Sequence, residues 1–238
     1  AEPRAHGLFT HCFTCNKDLK AIVRISRGLA AVGFSTLRYD LTGLGGSQGD
    51  FSQTNFSTNQ LDLRAASNFL GREHASPQYL IGHSFGGACS LSLAGQLDSV
   101  QAVVSLASPS DTSHLADLLA KRDPEIVSQG TGRVNIGGRE YTIAKQMLDD
   151  FRSHDLPANL RQLAKPVLLL HSPDDETLGF EHVMRLYGLL TQRLGEVPPA
   201  AASLVCLPGA DHLLIKNPAD LPFVTHLIAA WLGRFAAT

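Results

Sequence analysis

Little in this sequence points to an extracellular scaffold, a membrane or a nucleic acid. Its 238 residues include only four cysteines, Cys12, Cys15, Cys89 and Cys206, too few and too unevenly spaced for a disulfide framework. No apolar run approaches the ~20 residues that a membrane-spanning helix needs. The opening Ala1-Glu2-Pro3-Arg4-Ala5-His6 lacks the charged-then-apolar layout of a secretory signal. A cytoplasmic protein with no membrane partner is therefore expected. The formal net charge is only -2 and no block of like charge occurs, so no broad field draws the chain to nucleic acid. A small, neutral or mildly polar substrate is the expected ligand. Internal repeats and low-complexity tracts are also missing, which excludes solenoids and disordered linkers.

What is present is enough apolar material, 44% of residues, for one substantial core. Short branched-apolar runs alternate with helical patterns, the signature of parallel strands joined by crossover helices. Strands are expected at Gly7–Thr10, Phe34–Tyr39, Tyr79–Ile81, Val100–Leu106, Val167–Leu170 and Leu204–Leu207. Helices are expected at Lys17–Ala31, Asn59–Leu70, Gly87–Leu97 and Pro222–Phe235. The rhythm breaks between Ser108 and Lys165, where Val134 to Tyr141 reads as a hairpin turning on Gly137-Gly138. In an open parallel sheet, ligands sit beyond the carboxyl ends of the strands. Residues 108–165 are accordingly expected to form a small cap or lid within a single domain spanning residues 1–238.

The chemistry centres on Gly82-His83-Ser84-Phe85-Gly86, which runs from an expected strand into an expected helix of small residues. A serine hydroxyl is a weak nucleophile at neutral pH. It needs a sharp turn to expose it, an imidazole to take its proton and a carboxylate to orient the imidazole. Gly-x-Ser-x-Gly between strand and helix is the nucleophile elbow, and side chains at Gly82 or Gly86 would collide with the neighbouring strand and helix. The acid is expected after a later strand, in His171-Ser172-Pro173-Asp174-Asp175-Glu176. Asp175 is favoured over Asp174, because the chain must turn through Ser172-Pro173 before a side chain can point back; Glu176 reads as a solvated loop charge. The base is expected past the last strand, where Leu207-Pro208-Gly209-Ala210-Asp211-His212 supplies His212, with Asp211 read as a loop acceptor. The order Ser84, Asp175, His212 is that of the α/β-hydrolase fold, a mostly parallel sheet with helices on both faces. Its oxyanion donors come from the residue after the nucleophile and from a loop after an early strand, here the Phe85 and Phe13 N–H groups.

Two other motifs compete. Cys12-Phe13-Thr14-Cys15 has redox or half-zinc spacing, but Cys89 and Cys206 do not form the second pair that a zinc site wants; a reversible Cys12–Cys15 disulfide stays open. In Asp40-Leu41-Thr42-Gly43-Leu44-Gly45-Gly46-Ser47 the third glycine of a dinucleotide fingerprint would fall on Gln48, and the elbow lacks a P-loop lysine. No metal and no cofactor is expected.

His11-Cys12-Phe13-Thr14-Cys15, Leu37-Arg38-Tyr39-Asp40 with Thr42-Gly43-Leu44-Gly45, Gly82-His83-Ser84, Gly138-Arg139 and Ala210-Asp211-His212-Leu213-Leu214 together resemble the hydrolase half of bifunctional α/β-hydrolase/OsmC-like proteins. The resemblance covers nearly the whole chain and implies a bacterial, cytoplasmic serine esterase with an OsmC-like domain as its partner. Relatives of that type carry a strand pair ahead of the oxyanion loop and an OsmC-like domain after the hydrolase. This chain is expected to begin at about the strand just before the oxyanion loop, and it stops after Trp231-Leu232; its Leu189–Ala202 stretch, with Gly195 and Pro198-Pro199, differs from theirs. The expected reaction is cleavage of carboxylic esters of short acyl chains through an acyl-enzyme, faster as His212 loses its proton. Thioesterase, lactonase and perhydrolase chemistry use the same three residues. A non-catalytic, redox-regulatory partner of an OsmC-like peroxidase, acting through Cys12 and Cys15, is the rival from another class.

Overall fold

A computed structural model describes residues 2–192, 195 and 199–236. Strand and helix alternate through β1 (Ala5–Thr10), α1 (Lys20–Ala31), β2 (Phe34–Arg38), α2 (Phe56–Glu73), β3 (Tyr79–His83), α3 (Phe85–Ala94) and β4 (Ala102–Leu106). The chain then leaves the sheet for α4 (Ser113–Arg122), α5 (Glu125–Ser128), β5 (Thr131–Ile136), β6 (Arg139–Ala144), α6 (Lys145–Ser153) and α7 (Leu156–Gln162). It returns as β7 (Val167–His171), α8 (Glu181–Thr191), β8 (Ala202–Cys206) and α9 (Asp220–Phe235).

Six strands form one sheet in the order β2-β1-β3-β4-β7-β8, every neighbouring pair parallel. The order runs outward in both directions from β1 and β3, so the carboxyl ends of these central strands open a crevice. Side-chain alternation splits the core into two layers. Leu80, Val103, Val167 and Leu169 face the layer of α2, α3 and α8. Tyr79, Ile81, Ala102, Val104, Leu168 and Leu170 face the layer of α1 and α9. Helix α1 buries Ala21, Ile22, Ile25 and Leu29, the i, i+3, i+4 stripe of an amphipathic helix. All ten residues of α3 are buried, which explains its lack of polar side chains longer than serine.

Several boundaries differ from the sequence expectations for local reasons. Helix α1 starts at Lys20 rather than Lys17, because the Lys17 amide is drawn to Asp40 Oδ1 at 2.7 Å. Helix α2 starts at Phe56, three residues before Asn59, since Asn55 and Thr58 close a reciprocal capping box. Helix α3 starts at Phe85 directly on the elbow and gives out at Gly95. The expected hairpin is present as β5 paired antiparallel with β6, in register Ile136 to Arg139. Gly137 and Gly138 form its two-residue turn with φ of 59° and 82°, the sign pattern of a type I′ turn. Within Leu189–Ala202, residues 193, 194 and 196–198 lie outside the described residues. Among the described residues no helix is long and apolar enough to cross a membrane.

The segment between β4 and β7 does not stand apart from the core. Its Ala116, Leu119, Ile143, Met147, Phe151 and Leu160 share one buried cluster with Phe56, Phe85 and Leu91. The Phe151 ring lies tilted 4.9 Å from that of Phe85 and edge-on 6.1 Å from that of Phe13, so it reaches both segments around Ser84.

Candidate active site

The turn from β3 into α3 holds Ser84 at φ 54°, a left-handed value that a non-glycine residue adopts only where its surroundings enforce it. The enforcement is visible. The Ser84 amide donates to the Leu106 carbonyl at 2.8 Å, and its carbonyl accepts from the Gly87 amide at 2.9 Å. A Cβ on Gly86 would strike the carbonyls of Thr10 and His11, and one on Gly82 would strike Gly86 and Gly87 backbone. The glycines thus let the elbow close against the end of β1. Among the described residues, Ser84 Oγ has no hydrogen-bond partner, and the side chain lines a cavity of about 480 Å³.

His212 lines the same cavity, from the loop between β8 and α9. Its Nδ1 lies 2.7 Å from Asp175 Oδ2 on the β7–α8 loop. An ionised carboxylate only accepts, so His212 carries its proton on Nδ1 and its Nε2 has a free lone pair. Asp175 is buried, which alone would raise its pKa. The hydrogen bond from His212, with the amides of Leu178 and Thr177, outweighs burial and holds the carboxyl below its ordinary value. Those amides bind Oδ1 at 3.0 and 2.8 Å, leaving Oδ2 for the imidazole. Asp174 is exposed and accepts instead from the Gly209 amide at 2.7 Å, and Glu176 is exposed on the same loop. Asp211 Oδ1 accepts from the amides of Ile215 and Lys216, closing the turn that presents His212.

The loop after β1 completes the surroundings. Cys12 and Cys15 are joined as a disulfide, with their Cα atoms 5.3 Å apart. Inside that ring the Cys15 amide donates to the Cys12 carbonyl at 3.1 Å and Thr14 sits at φ 61°, the positive third position of a type II turn. Among the described residues the Phe13 and Phe85 amides bond to no protein acceptor, and Phe85 is the first residue of α3, where a helix leaves its N–H groups free. The rings of Phe13 and Phe85 meet edge to face at 5.7 Å, which keeps the two segments together.

Three histidines escaped the sequence reading. His83 is buried and its pKa falls to about 3, by burial first and by His212 second, so it is neutral. Its Nε2–H donates to the His212 carbonyl at 2.8 Å, tying the elbow to the loop of His212. His11 Nε2 accepts from the Leu41 amide at 3.0 Å, which puts its proton on Nδ1 to donate to the Cys12 carbonyl at 2.8 Å. His171 Nε2–H donates to the Leu178 carbonyl at 2.9 Å and steadies the loop of Asp175. The residue types gave no hint of this: each histidine follows or ends a strand, and only the fold shows which loop it reaches. Asp40, the start of the failed dinucleotide fingerprint, accepts from the amides of Lys17 and Gly46 and shapes its own loop.

Residues 5–221 match the alpha/beta hydrolase family. The chain belongs to this family. The esterase domain of a Rhodothermus marinus protein is 35% identical to this hydrolase, over 100% of this chain and 90% of that one, with a TM-score of 0.73. Est1E from Butyrivibrio proteoclasticus, solved with ferulic acid bound, superposes with a TM-score of 0.80 at 20% identity, covering 98% of this chain and 90% of that one. The palmitoyl-protein thioesterase ABHD10, mitochondrial, of Rattus norvegicus is 24% identical over 186 residues, 75% of this chain. The match spans 61% of that relative, less than two thirds of its length. The hydrolase therefore has esterases among its structural neighbours.

Proposed function

We propose that this hydrolase cleaves carboxylic esters, with Ser84 as nucleophile, His212 as general base and then acid, and Asp175 as the group that orients His212. The observation that carries the reading is the 2.7 Å Asp175–His212 pair, whose His212 lines the same cavity as a serine held at φ 54°. Ser84 Oγ attacks the ester carbonyl carbon while His212 Nε2 takes its proton. The oxyanion accepts from the Phe13 and Phe85 amides. Collapse expels the alcohol, which takes the proton from His212, and leaves an acyl-Ser84 that water hydrolyses by the same steps. The Ser84 hydroxyl and His212 Nε2 come within hydrogen-bond distance once substrate is bound, as is common for catalytic groups that are loose in the empty site.

Residues 108–165 act as the cap: Leu115, Leu118, Leu119, Ile136 and Tyr141 from this segment line the same cavity as Ser84. A cavity of about 480 Å³ suits a small ligand and supports a preference for short acyl chains. Ser84→Ala tests the mechanism: turnover of 4-nitrophenyl butyrate should fall by about 10⁴-fold or more, and wild-type turnover would refute it.

A second reading is thioester cleavage by the same three residues, favoured by the similarity to a protein thioesterase. A matched oxoester and thioester pair of equal chain length separates the two by kcat/KM. The resemblance to bifunctional OsmC-like proteins supports an OsmC-like domain as physical partner, which co-elution of the two purified proteins would test.

A further inference from the structure

The β5–β6 hairpin has two distinct faces. Alternation sets Gly132, Val134 and Ile136 with Tyr141 and Ile143 toward the protein, and Arg133, Asn135, Glu140 and Thr142 toward water. On the outer face Arg133 Nη1 meets Glu140 Oε1 at 3.3 Å. Arg139 belongs by the same alternation to the inner face. It stands opposite Ile136 and two residues before Tyr141, and all three line the cavity of Ser84 and His212. An arginine where the pattern wants an apolar side chain breaks a local rule, and such breaks concentrate at functional sites.

A second cation joins it. Arg122, the last residue of α4, lines the same cavity and reaches the hairpin, its Nη1 3.5 Å from the Asn135 carbonyl. Among the described residues neither guanidinium pairs with a carboxylate, whereas Arg38, Arg133, Arg152 and Arg185 each do. Among the described residues the cavity lining contains no aspartate or glutamate. In a chain of net charge -2, this cavity carries two permanent positive charges and no negative one.

We propose that Arg122 and Arg139 form an anion subsite, and that the substrates are esters carrying a carboxylate remote from the scissile carbonyl. The planar guanidinium groups would take the carboxylate in paired hydrogen bonds, while the apolar wall between them and Ser84 holds the connecting chain. This assignment rests on the esterase reading above, and the test separates the two.

The experiment compares kcat/KM for two matched pairs: monomethyl adipate against methyl hexanoate, with the charge on the acyl side, and 4-acetoxybenzoate against phenyl acetate, with it on the leaving group. Each is measured in wild type, Arg139→Gln and Arg122→Gln/Arg139→Gln. Both side chains are exposed, so the variants keep the fold, checked by thermal melting. In one pair the charged ester should be favoured by about tenfold or more, through KM, and about 0.5 M salt should shrink that preference. The double variant should erase it while neutral esters stay within about twofold. A wild-type enzyme that treats charged and neutral esters alike in both pairs, or a preference that survives the double variant, overturns the subsite and leaves the Ser84 mechanism standing. Undiminished turnover in Ser84→Ala with an arginine-dependent preference would do the reverse.

Discussion

Replacing Asp175 with asparagine changes one oxygen to an amide nitrogen and should nearly silence the enzyme. In the wild type Oδ1 accepts from Thr177 and Leu178 and Oδ2 from His212 Nδ1–H. Asparagine has one acceptor oxygen. If that oxygen faced His212, its NH₂ would confront two amide donors in a buried loop, leaving groups unpaired at about 1–3 kcal/mol each. The side chain therefore keeps its oxygen on the two amides and turns its NH₂ toward His212 Nδ1. The imidazole must then accept at Nδ1 and carry its proton on Nε2, the nitrogen that should receive the Ser84 proton. An equivalent tautomer reversal in a serine protease lowers kcat about 10⁴-fold, about 5 kcal/mol of barrier. The assay is kcat for 4-nitrophenyl butyrate at saturation, beside a melting curve that should move by only a few degrees for the ~1 kcal/mol of lost charged hydrogen bond. Asp174→Asn, which touches only the Gly209 amide, should stay within about threefold. If Asp175→Asn kept activity within tenfold of wild type, the assigned role of Asp175 would be wrong.

The remaining predictions concern the elbow, the cysteines and acid. Gly86→Ala pushes a methyl against the Thr10 and His11 carbonyls, so it should lower both the melting temperature and kcat, the latter by about 10²-fold as the oxyanion loop shifts; unchanged kinetics would show that this contact does not fix the loop. Without reductant, a thiol reagent should modify the exposed Cys206 and spare Cys89, which is buried and whose pKa burial drives far upward. A dithiol should release Cys12 and Cys15 and reduce kcat on esters more than it raises KM, since their ring frames Phe13; equal kcat before and after reduction would contradict that. Asp40, Asp111, Asp175 and Asp211 all have pKa values lowered from 3.8. Burial pushes each upward, but amide, hydroxyl or cationic partners prevail. Stability from a depressed carboxyl is complete above the unfolded value and lost as pH falls through the folded one. Denaturation midpoints should thus hold at pH 5 and drop below about pH 3.8, less steeply in Asp175→Asn.

Much of this architecture was readable from residue pattern. The central strands are continuous apolar runs because both faces are covered, and the Gly-Gly hairpin turn needs φ values that few other residues allow. Ser84, Asp175 and His212 each follow a strand, so chain order alone put them at one sheet edge. What stayed hidden depends on partners distant in sequence. Helices α4 to α7 are short, and their apolar residues follow the shape of the cluster around Phe85 rather than a long stripe. The start of α2 was missed because Asn55 and Thr58 cap it without the glutamate that usually marks a capping box. His11, His83 and His171 carry no sign in sequence of which carbonyl each will meet. Nothing in the sequence singles out Arg139 as a cavity residue; the strand register places it on the inner face of the hairpin.

The central claim is that Ser84 is the nucleophile, and covalent trapping tests it most directly. Intact-mass analysis after treatment with a fluorophosphonate should show one adduct per chain, peptide mapping should place it on Ser84, and esterase activity should fall in step with labelling. Full loss of activity with the adduct on another residue, or sustained ester turnover in protein labelled completely at Ser84, would contradict the account.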